Sequence, residues 1–175
     1  MASIKGFQMK NVKNILGREG YGCSGTLYLK GKKIGTYIDY GDGGCEDIEY
    51  ISKVDEENMM KTIIEFAKEY SNDFIVNLYK ERPEQYKEEC ERFKKYHPYI
   101  SDEDITIETM ASNSIIYIID EFLKLLEMEK LFKKYLKKGY KAISVDGNKV
   151  AAYPGSWSDE AKGKTLYTSL EDFCK

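Results

Sequence analysis

The chain contains 175 residues, a common length for one domain with a continuous apolar core. Hydrophobic residues make up 42% of the chain and charged residues 33%, so the composition excludes a wholly disordered protein. The formal net charge of −3 gives no excess of basic side chains for phosphate backbones, and we expect no direct nucleic-acid partner.

The first 51 residues predict an antiparallel β-meander. An opening strand through Phe7 is followed by a polar link around Asn14 and by a second strand over residues 21–29. Gly31 can take the positive φ that a two-residue hairpin turn requires. The return strand of this hairpin is predicted over residues 34–40.

Period-two alternation assigns faces to the third and fourth strands. One face of the third strand is expected to carry Ile34, Thr36, Ile38 and Tyr40. The fourth strand, residues 45–51, places Ile48 and Tyr50 on one face and Asp47 and Glu49 on the other.

Three helices are predicted in residues 55–139, packed on the meander. The first begins with Asp55 as its N-cap and carries an apolar stripe at helical spacing. The second occupies residues 83–97, between two prolines. The third, residues 113–138, is rich in isoleucine and leucine and is closed by Gly139.

The last part of the chain, residues 140–175, predicts a short β-hairpin around Asp146 and a loop-like tail. Trp157 lies in that tail, where it either covers the edge of the domain or serves as an exposed binding anchor. The expected fold is therefore a single α+β domain over residues 1–175, with a meander (1–51), a helical part (55–139) and a hairpin with its tail.

Residues 38–50, IDYGDGGCEDIEY, combine three glycines with five carboxylates. A phosphate-binding loop needs a helix N-terminus behind its amides, but the flanks of this loop read as strands, which favours a tight turn. The five carboxylates are Asp39, Asp42, Glu46, Asp47 and Glu49. They could in principle ligate Mg²⁺ or Ca²⁺, yet strand alternation separates them, which favours a solvated acidic edge.

Other sites for chemistry are weak in this sequence. His97 is the only histidine and lies on the apolar stripe of a charged helix, which indicates packing. The stretch GREGYG, residues 17–22, lacks the apolar strand that precedes a dinucleotide-binding turn. We therefore expect no catalytic residue, no resident metal and no cofactor.

The N-terminus has no apolar leader region, and the longest apolar run, residues 115–119, is too short to cross a bilayer. The four cysteines are widely spaced without a CxxC pair, as expected for reduced thiols. These features predict a cytoplasmic protein with no membrane partner.

The stretch GREGYGCSGTLYLKGKKIGTYIDYGDGGC, residues 17–45, resembles a group of small phage and mobile-element proteins. The resemblance extends to about residue 50, and some members of such groups are anti-CRISPR inhibitors, most closely those of type II systems. It implies a phage or prophage product made inside a bacterium, but a shared scaffold does not fix one target.

The favoured hypothesis is an anti-defence protein that is not an enzyme and inhibits a bacterial immune effector, such as a CRISPR nuclease, by direct protein binding. The predicted contact residues are Tyr21, Tyr28, Tyr37, Tyr40, Asp42, Asp47, Glu49, Tyr50 and Trp157. Three alternatives remain open: a protein that sequesters a nucleotide immune signal, a metal-dependent enzyme built on the carboxylates of residues 39–49, and a phage accessory protein without a defence role. An exposed edge strand could also pair two chains into a homodimer.

Overall fold

A computed structural model describes residues 2–146, 149–153 and 164–168. The fold belongs to the predicted α+β class, with an antiparallel sheet first, helices next and a two-stranded hairpin last. The chain divides into two compact units. The N-terminal unit is Ser3–Asp120, and the C-terminal unit comprises Ala2 and the described residues from Glu121 onward.

The first sheet has the order β1-β2-β3-β4, and every neighbouring pair is antiparallel. Its strands are β1 (Phe7–Leu16), β2 (Tyr21–Leu29), β3 (Lys32–Ile38) and β4 (Asp47–Tyr50). The helices are α1 (Lys53–Ala67), α2 (Asp73–Glu81), α3 (Pro83–Tyr96), α4 (Ile107–Ala111) and α5 (Ile115–Lys137), with a 3₁₀ turn at Asp102–Asp104. The final hairpin consists of β5 (Ala142–Asp146) and β6 (Lys149–Tyr153).

β1 is longer than the sequence predicts. It continues through Asn14 to Leu16, so the predicted polar link around Asn14 is wrong. The register with β2 shifts by one residue around Asn11, whose φ is 55°. This β-bulge accommodates the extra residue, and the pairing of β1 with β2 resumes after it. The chain turns instead at Gly17, whose N–H donates to the carbonyl of Gly20 at 2.9 Å.

The hairpin between β2 and β3 contains the predicted turn, since Lys30 and Gly31 have φ values of 49° and 81°. A second bulge follows, because β3 gains one residue relative to β2 beside Ile34. Ile34 is therefore buried, at 2% exposure, whereas Thr36 is exposed. The prediction that Ile34 shares a face with Thr36 is wrong for this reason.

Helix α1 begins three residues earlier than predicted. Its N-cap is Ser52, whose side chain accepts a hydrogen bond from the backbone N–H of Asp55, so the prediction of Asp55 as the N-cap is wrong. The Asp55 carboxylate instead accepts hydrogen bonds from the Ser52 hydroxyl at 2.8 Å and from Lys32 Nζ at 2.6 Å. It thereby links the start of α1 to the start of β3.

The prediction of three helices misses α2 and α4. The N-cap of α2 is Asn72, whose side chain accepts a hydrogen bond from the backbone N–H of Ile75, and the helix buries only Val76 and Tyr79. α4 has five residues, too few to show a helical period. α3 and α5 lie where they were predicted, and Gly139 follows α5 with a φ of 85°.

The core of the N-terminal unit lies between one face of the first sheet and the helices. Its largest fully buried side chains are Phe7, Leu27, Ile34, Met59, Ile63, Ile118 and Ile119. A neighbouring cluster joins α1, α2, α3 and α4 through Ile64, Val76, Tyr79, Phe93, Ile100, Met110 and Ala111. Each such side chain contributes about 1.5–3 kcal/mol by leaving water, so one face of the sheet is fixed against the helices. We call the face of the sheet that packs against the helices the inner face, and the opposite face of the sheet the outer face.

In the C-terminal unit, the predicted hairpin of β5 and β6 is confirmed. Ile143 of β5 packs with Met128 and Phe132 of α5, and it forms an isolated β-bridge with Tyr167. Trp157 lies outside the described residues.

Candidate functional site

The two glycine-rich stretches of the sequence pack against each other at one end of the first sheet. The backbone N–H of Glu19 donates to the carbonyl of Gly41 at 3.0 Å. A Cβ on Gly17 would overlap the carbonyl oxygens of Tyr40 and Gly41, and one on Gly22 would overlap that of Asp39. Glycine is required at both positions because two backbone segments meet there.

The GDGG segment is a turn that is stabilised by its own carboxylates. Asp39 accepts a hydrogen bond from the N–H of Gly41 at 2.8 Å, and Asp42 accepts one from the N–H of Gly44 at 3.2 Å. The backbone N–H groups of Gly41 and Gly44, which a phosphate would need as donors, are thus already hydrogen-bonded. Their acceptors are carboxylates, which would repel a phosphate. The geometry favours the turn interpretation over nucleotide binding.

The acidic residues around this turn do not converge on a common point. Asp39 and Asp42 face amides of their own loop, while Asp47 and Glu49 lie on β4, on the face opposite to Ile48 and Tyr50. In the described part of the chain, no group of three or more histidine, cysteine or acidic side chains is placed to hold a metal ion.

The predicted contact tyrosines are divided between the two faces of the sheet. Tyr37 is 4% exposed on the inner face, where burial raises the pKa of its hydroxyl, and its ring is not accessible to a partner. Tyr50 is half-buried, and burial, with a smaller contribution from Glu56, raises its pKa to about 12. Tyr28 is half-buried on the outer face, under Lys10 Nζ at 4.3 Å from the ring centroid.

An exposed apolar patch lies at the end of the β1–β2 hairpin. Tyr21 is 82% exposed and is paired directly with Leu16, which is 75% exposed. Tyr40, beside the packed glycine turns, is also exposed. Strand alternation places the Leu16–Tyr21 pair on the side of Cys23 and Leu27, which is the inner face of the sheet.

Strand register aligns the side chains of the outer face into two rows that cross all four strands, because directly paired residues share a face. The first row consists of Lys13, Ser24, Ile38 and Asp47. The second row consists of Lys10, Thr26, Thr36 and Glu49. Each row begins with a lysine on β1, passes over small or apolar side chains, and ends with a carboxylate on β4.

The centre of this face is an open depression of about 490 Å³. Its floor is formed by Ser24, Gly25, Thr26 and Thr36. Lys13 lines it on the β1 side, and Asp47 and Glu49 line it on the β4 side, with Tyr40 at the end near the glycine turns. The structure thus brings together the predicted site residues Tyr40, Asp47 and Glu49.

The opposite charges of the rows do not neutralise each other. β1 and β4 are three strand spacings apart, or about 14 Å, which is too far for a direct lysine–carboxylate contact. Among the described residues, neither Lys10 and Lys13 nor Asp47 and Glu49 forms a salt bridge. The outer face therefore presents one basic edge and one acidic edge to solvent.

Sequence reasoning did not identify Lys10, Lys13, Ser24, Thr26 and Thr36 as site residues. The alternation of polar and apolar residues in β2 and β3 was a usable signal. The rows became visible only with the register, which two bulges shift.

Comparison of the chain with protein-family models, with curated proteins and with solved structures finds no match. None of the helices in the described ranges has the length and continuous apolar character needed to cross a bilayer.

Proposed function

We propose that this protein is a phage or prophage anti-defence protein that acts inside a bacterium by binding an immune effector, such as a CRISPR nuclease, without catalysing a reaction. The outer face of the first sheet is its docking surface. The observation that carries this proposal is the pair of cross-strand rows, with unneutralised lysines at one edge and unneutralised carboxylates at the other.

The chemistry of this face suits a protein partner. Interfaces combine aromatic and aliphatic anchors with a polar rim, and here Tyr28, Ile38 and Tyr40 lie among hydroxyls and charges. Charged edges steer a partner into register and determine which partners are rejected.

The anti-defence part of the proposal is supported by the resemblance over residues 17–50. That segment builds β2, β3, β4 and both glycine turns, so it supplies most of the outer face. The glycines that it contains at 17 and 22 serve close packing of the two turns. A shared scaffold of this kind would preserve the shape of the docking surface while its exposed side chains select the target.

Capture from a bacterium with an active defence system tests the proposal. The bait is the full chain, compared with Thr36→Arg, which places a long cationic side chain on the floor of the depression. The matched control is Thr165→Arg, the same change at an exposed threonine of the C-terminal unit. We expect the wild type and the control to capture one effector protein in a stoichiometric amount and Thr36→Arg to lose at least about tenfold of it.

A functional readout accompanies the capture. Expression of the chain in the defended host is expected to restore plating of a phage that the defence targets, and Thr36→Arg is expected to abolish that restoration. Equal activity of Thr36→Arg and wild type would show that the outer face is not the docking surface. Restoration of plating without any captured protein, together with turnover of a small molecule, would refute direct binding.

A further inference from the structure

We infer that the partner element seated on the outer face is an α-helix that lies along the strands, with acidic side chains on its flank over β1 and basic side chains on its flank over β4. This inference rests on the proposed function, because it specifies the partner of that same surface. It follows from the width of the face, the spacing of its charges and the chemistry of its floor.

The width of the face fits a single helix. The lysine edge and the carboxylate edge are separated by three strand spacings, about 14 Å. An α-helix with its side chains measures about 10–12 Å across, so one helix fills the space between the edges and contacts both. The small residues of the floor, among them Ser24, Thr26 and Thr36, let it approach the sheet.

The spacing of the charges along the strands matches one helical turn. Asp47 and Glu49 are two residues apart on β4, which corresponds to about 7 Å. Side chains at i and i+4 on one flank of a helix are about 6 Å apart along its axis. Lys13 lies in the row of Asp47 and Lys10 in the row of Glu49. The flank of the helix over β1 therefore meets two charges at the same spacing as the flank over β4. The matching helix therefore carries two basic residues at i, i+4 on one side and two acidic residues at i, i+4 on the other.

The floor favours a helix over an extended segment. Ser24, Thr26 and Thr36 offer hydroxyls, while the backbone groups of β2 and β3 are already used in the sheet ladder. An extended chain laid on this face would leave its own N–H and C=O groups without backbone partners. A helix satisfies those groups internally and needs only its side chains to contact the floor.

A synthetic helical peptide tests the inference without knowledge of the natural partner. The probe is an alanine-rich peptide of about 20 residues, long enough to form a helix, with lysines at i, i+4 on one flank and glutamates at i, i+4 on the other. The control peptide has the same composition but mixes both charges on each flank. Binding to the full-length protein is measured by fluorescence anisotropy at low ionic strength, where exposed charges are least screened.

Charge reversal of the two edges gives the decisive comparison. Lys10→Glu with Lys13→Glu makes both edges acidic, and Asp47→Lys with Glu49→Lys makes both basic, so each double variant is expected to bind the probe at least about tenfold more weakly. The variant with all four changes again has one edge of each sign. It is expected to recover binding, because the peptide can bind in the opposite direction along the strands.

Circular dichroism and thermal melting confirm that each variant is folded, and the milder pair Asp47→Asn and Glu49→Gln replaces any variant that is not. Absence of saturable probe binding, equal binding of the control peptide, or failure of the fourfold variant to recover would overturn the helix inference. Effector capture that depends on Thr36, seen together with any of those results, would leave the proposed function standing. If probe binding changes with the charges of the two edges as expected but no effector is captured, the proposed function would be refuted while the helix inference would hold.

Discussion

The backbone N–H of Glu19 donates to the carbonyl of Gly41, and this 3.0 Å hydrogen bond joins the β1–β2 turn to the turn between β3 and β4. The sequence contains two glycine-rich motifs because the two turns touch each other. The contact fixes the end of the sheet at which Tyr40 and Asp42 are exposed. Its integrity is therefore a condition for the shape of the proposed docking surface.

Alanine at Gly17 or Gly22 is expected to lower the free energy of unfolding by about 1–3 kcal/mol, because either new Cβ would overlap a backbone carbonyl of the other turn. Gly20→Ala is the matched control, since its Cβ would meet nothing within 4 Å, and we expect a change below about 0.5 kcal/mol. Urea denaturation of the three variants measures these differences. Equal stability of Gly17→Ala and Gly20→Ala would contradict the packed-turn account.

The link between Asp55 and Lys32 predicts a loss of stability in acid. Hydrogen bonds from Lys32 and then from Ser52 hold the pKa of Asp55 below its ordinary value of 3.8. The ionised carboxylate therefore stabilises the fold above pH 3.8, and this contribution is lost as the pH falls through the lower folded-state pKa. Asp55→Asn is expected to melt at a lower temperature than wild type at pH 7.

Melting temperatures of both proteins between pH 7 and pH 2 test this prediction. The difference between Asp55→Asn and wild type should shrink as the pH falls from 3.8 through the folded-state pKa of Asp55. A difference that stays constant over the whole range would show that the charge of Asp55 is not the stabilising feature.

The environment of His97 predicts a second loss of stability in acid. Here the folded protein favours the neutral form of the side chain, whereas at Asp55 it favours the charged form. Its ring lies 4.6 Å from the Phe93 ring and its Nδ1 is 2.9 Å from the Tyr99 hydroxyl. Burial lowers the pKa of the ring below 6.5, against a smaller opposing effect of Glu56. The unfolded chain then binds a proton more readily than the folded one, so stability is full above pH 6.5 and falls as the pH drops below it.

His97→Gln is the control for this effect, because glutamine has no charge to gain. We expect its stability to change less than that of wild type between pH 7.5 and about pH 5.5, a range that includes the ordinary pKa of histidine. Chemical denaturation at fixed pH values measures this. Parallel pH profiles for the two proteins would refute a half-buried His97 that stays neutral in the folded state.

Substitutions of the sheet tyrosines are predicted to affect either the stability of the fold or effector capture, depending on the face on which the ring lies. Tyr37→Ala empties an inner-face position and is expected to cost about 3–5 kcal/mol of unfolding free energy, as for other large aromatic residues in cores. Tyr40→Ala removes an exposed ring and is expected to stay within about 0.5 kcal/mol of wild type while weakening effector capture. The reverse pattern, with stable Tyr37→Ala and unfolded Tyr40→Ala, would contradict the assignment of faces.

Sequence patterns predicted the parts of this fold that depend on local chemistry. The turn at Lys30 and Gly31, the helix α5 with Gly139 after it, and the final hairpin all follow from glycine φ preferences and apolar periodicity. The outer-face rows depend on register, which the bulges at Asn11 and Ile34 shift by one residue each. A shift of this kind leaves no local signature, so Lys10, Lys13 and Thr36 could not be paired with their partners from the sequence.

The same limit applies to α2 and to the start of α1. Nine residues with two buried side chains give too short a stripe to distinguish α2 from a loop. Asp55 is a good N-cap residue by type, and only the geometry shows that Ser52 takes that position and leaves Asp55 to bind Lys32.

Photo-crosslinking from the outer face tests the central claim most directly. A photoreactive phenylalanine analogue replaces Thr36 in one sample and Thr165 in another, and each protein is irradiated in extract of the defended host. The account predicts one crosslinked effector from position 36 and none from position 165. Crosslinking from position 165 alone, or from neither position while the chain still blocks the defence, would contradict it.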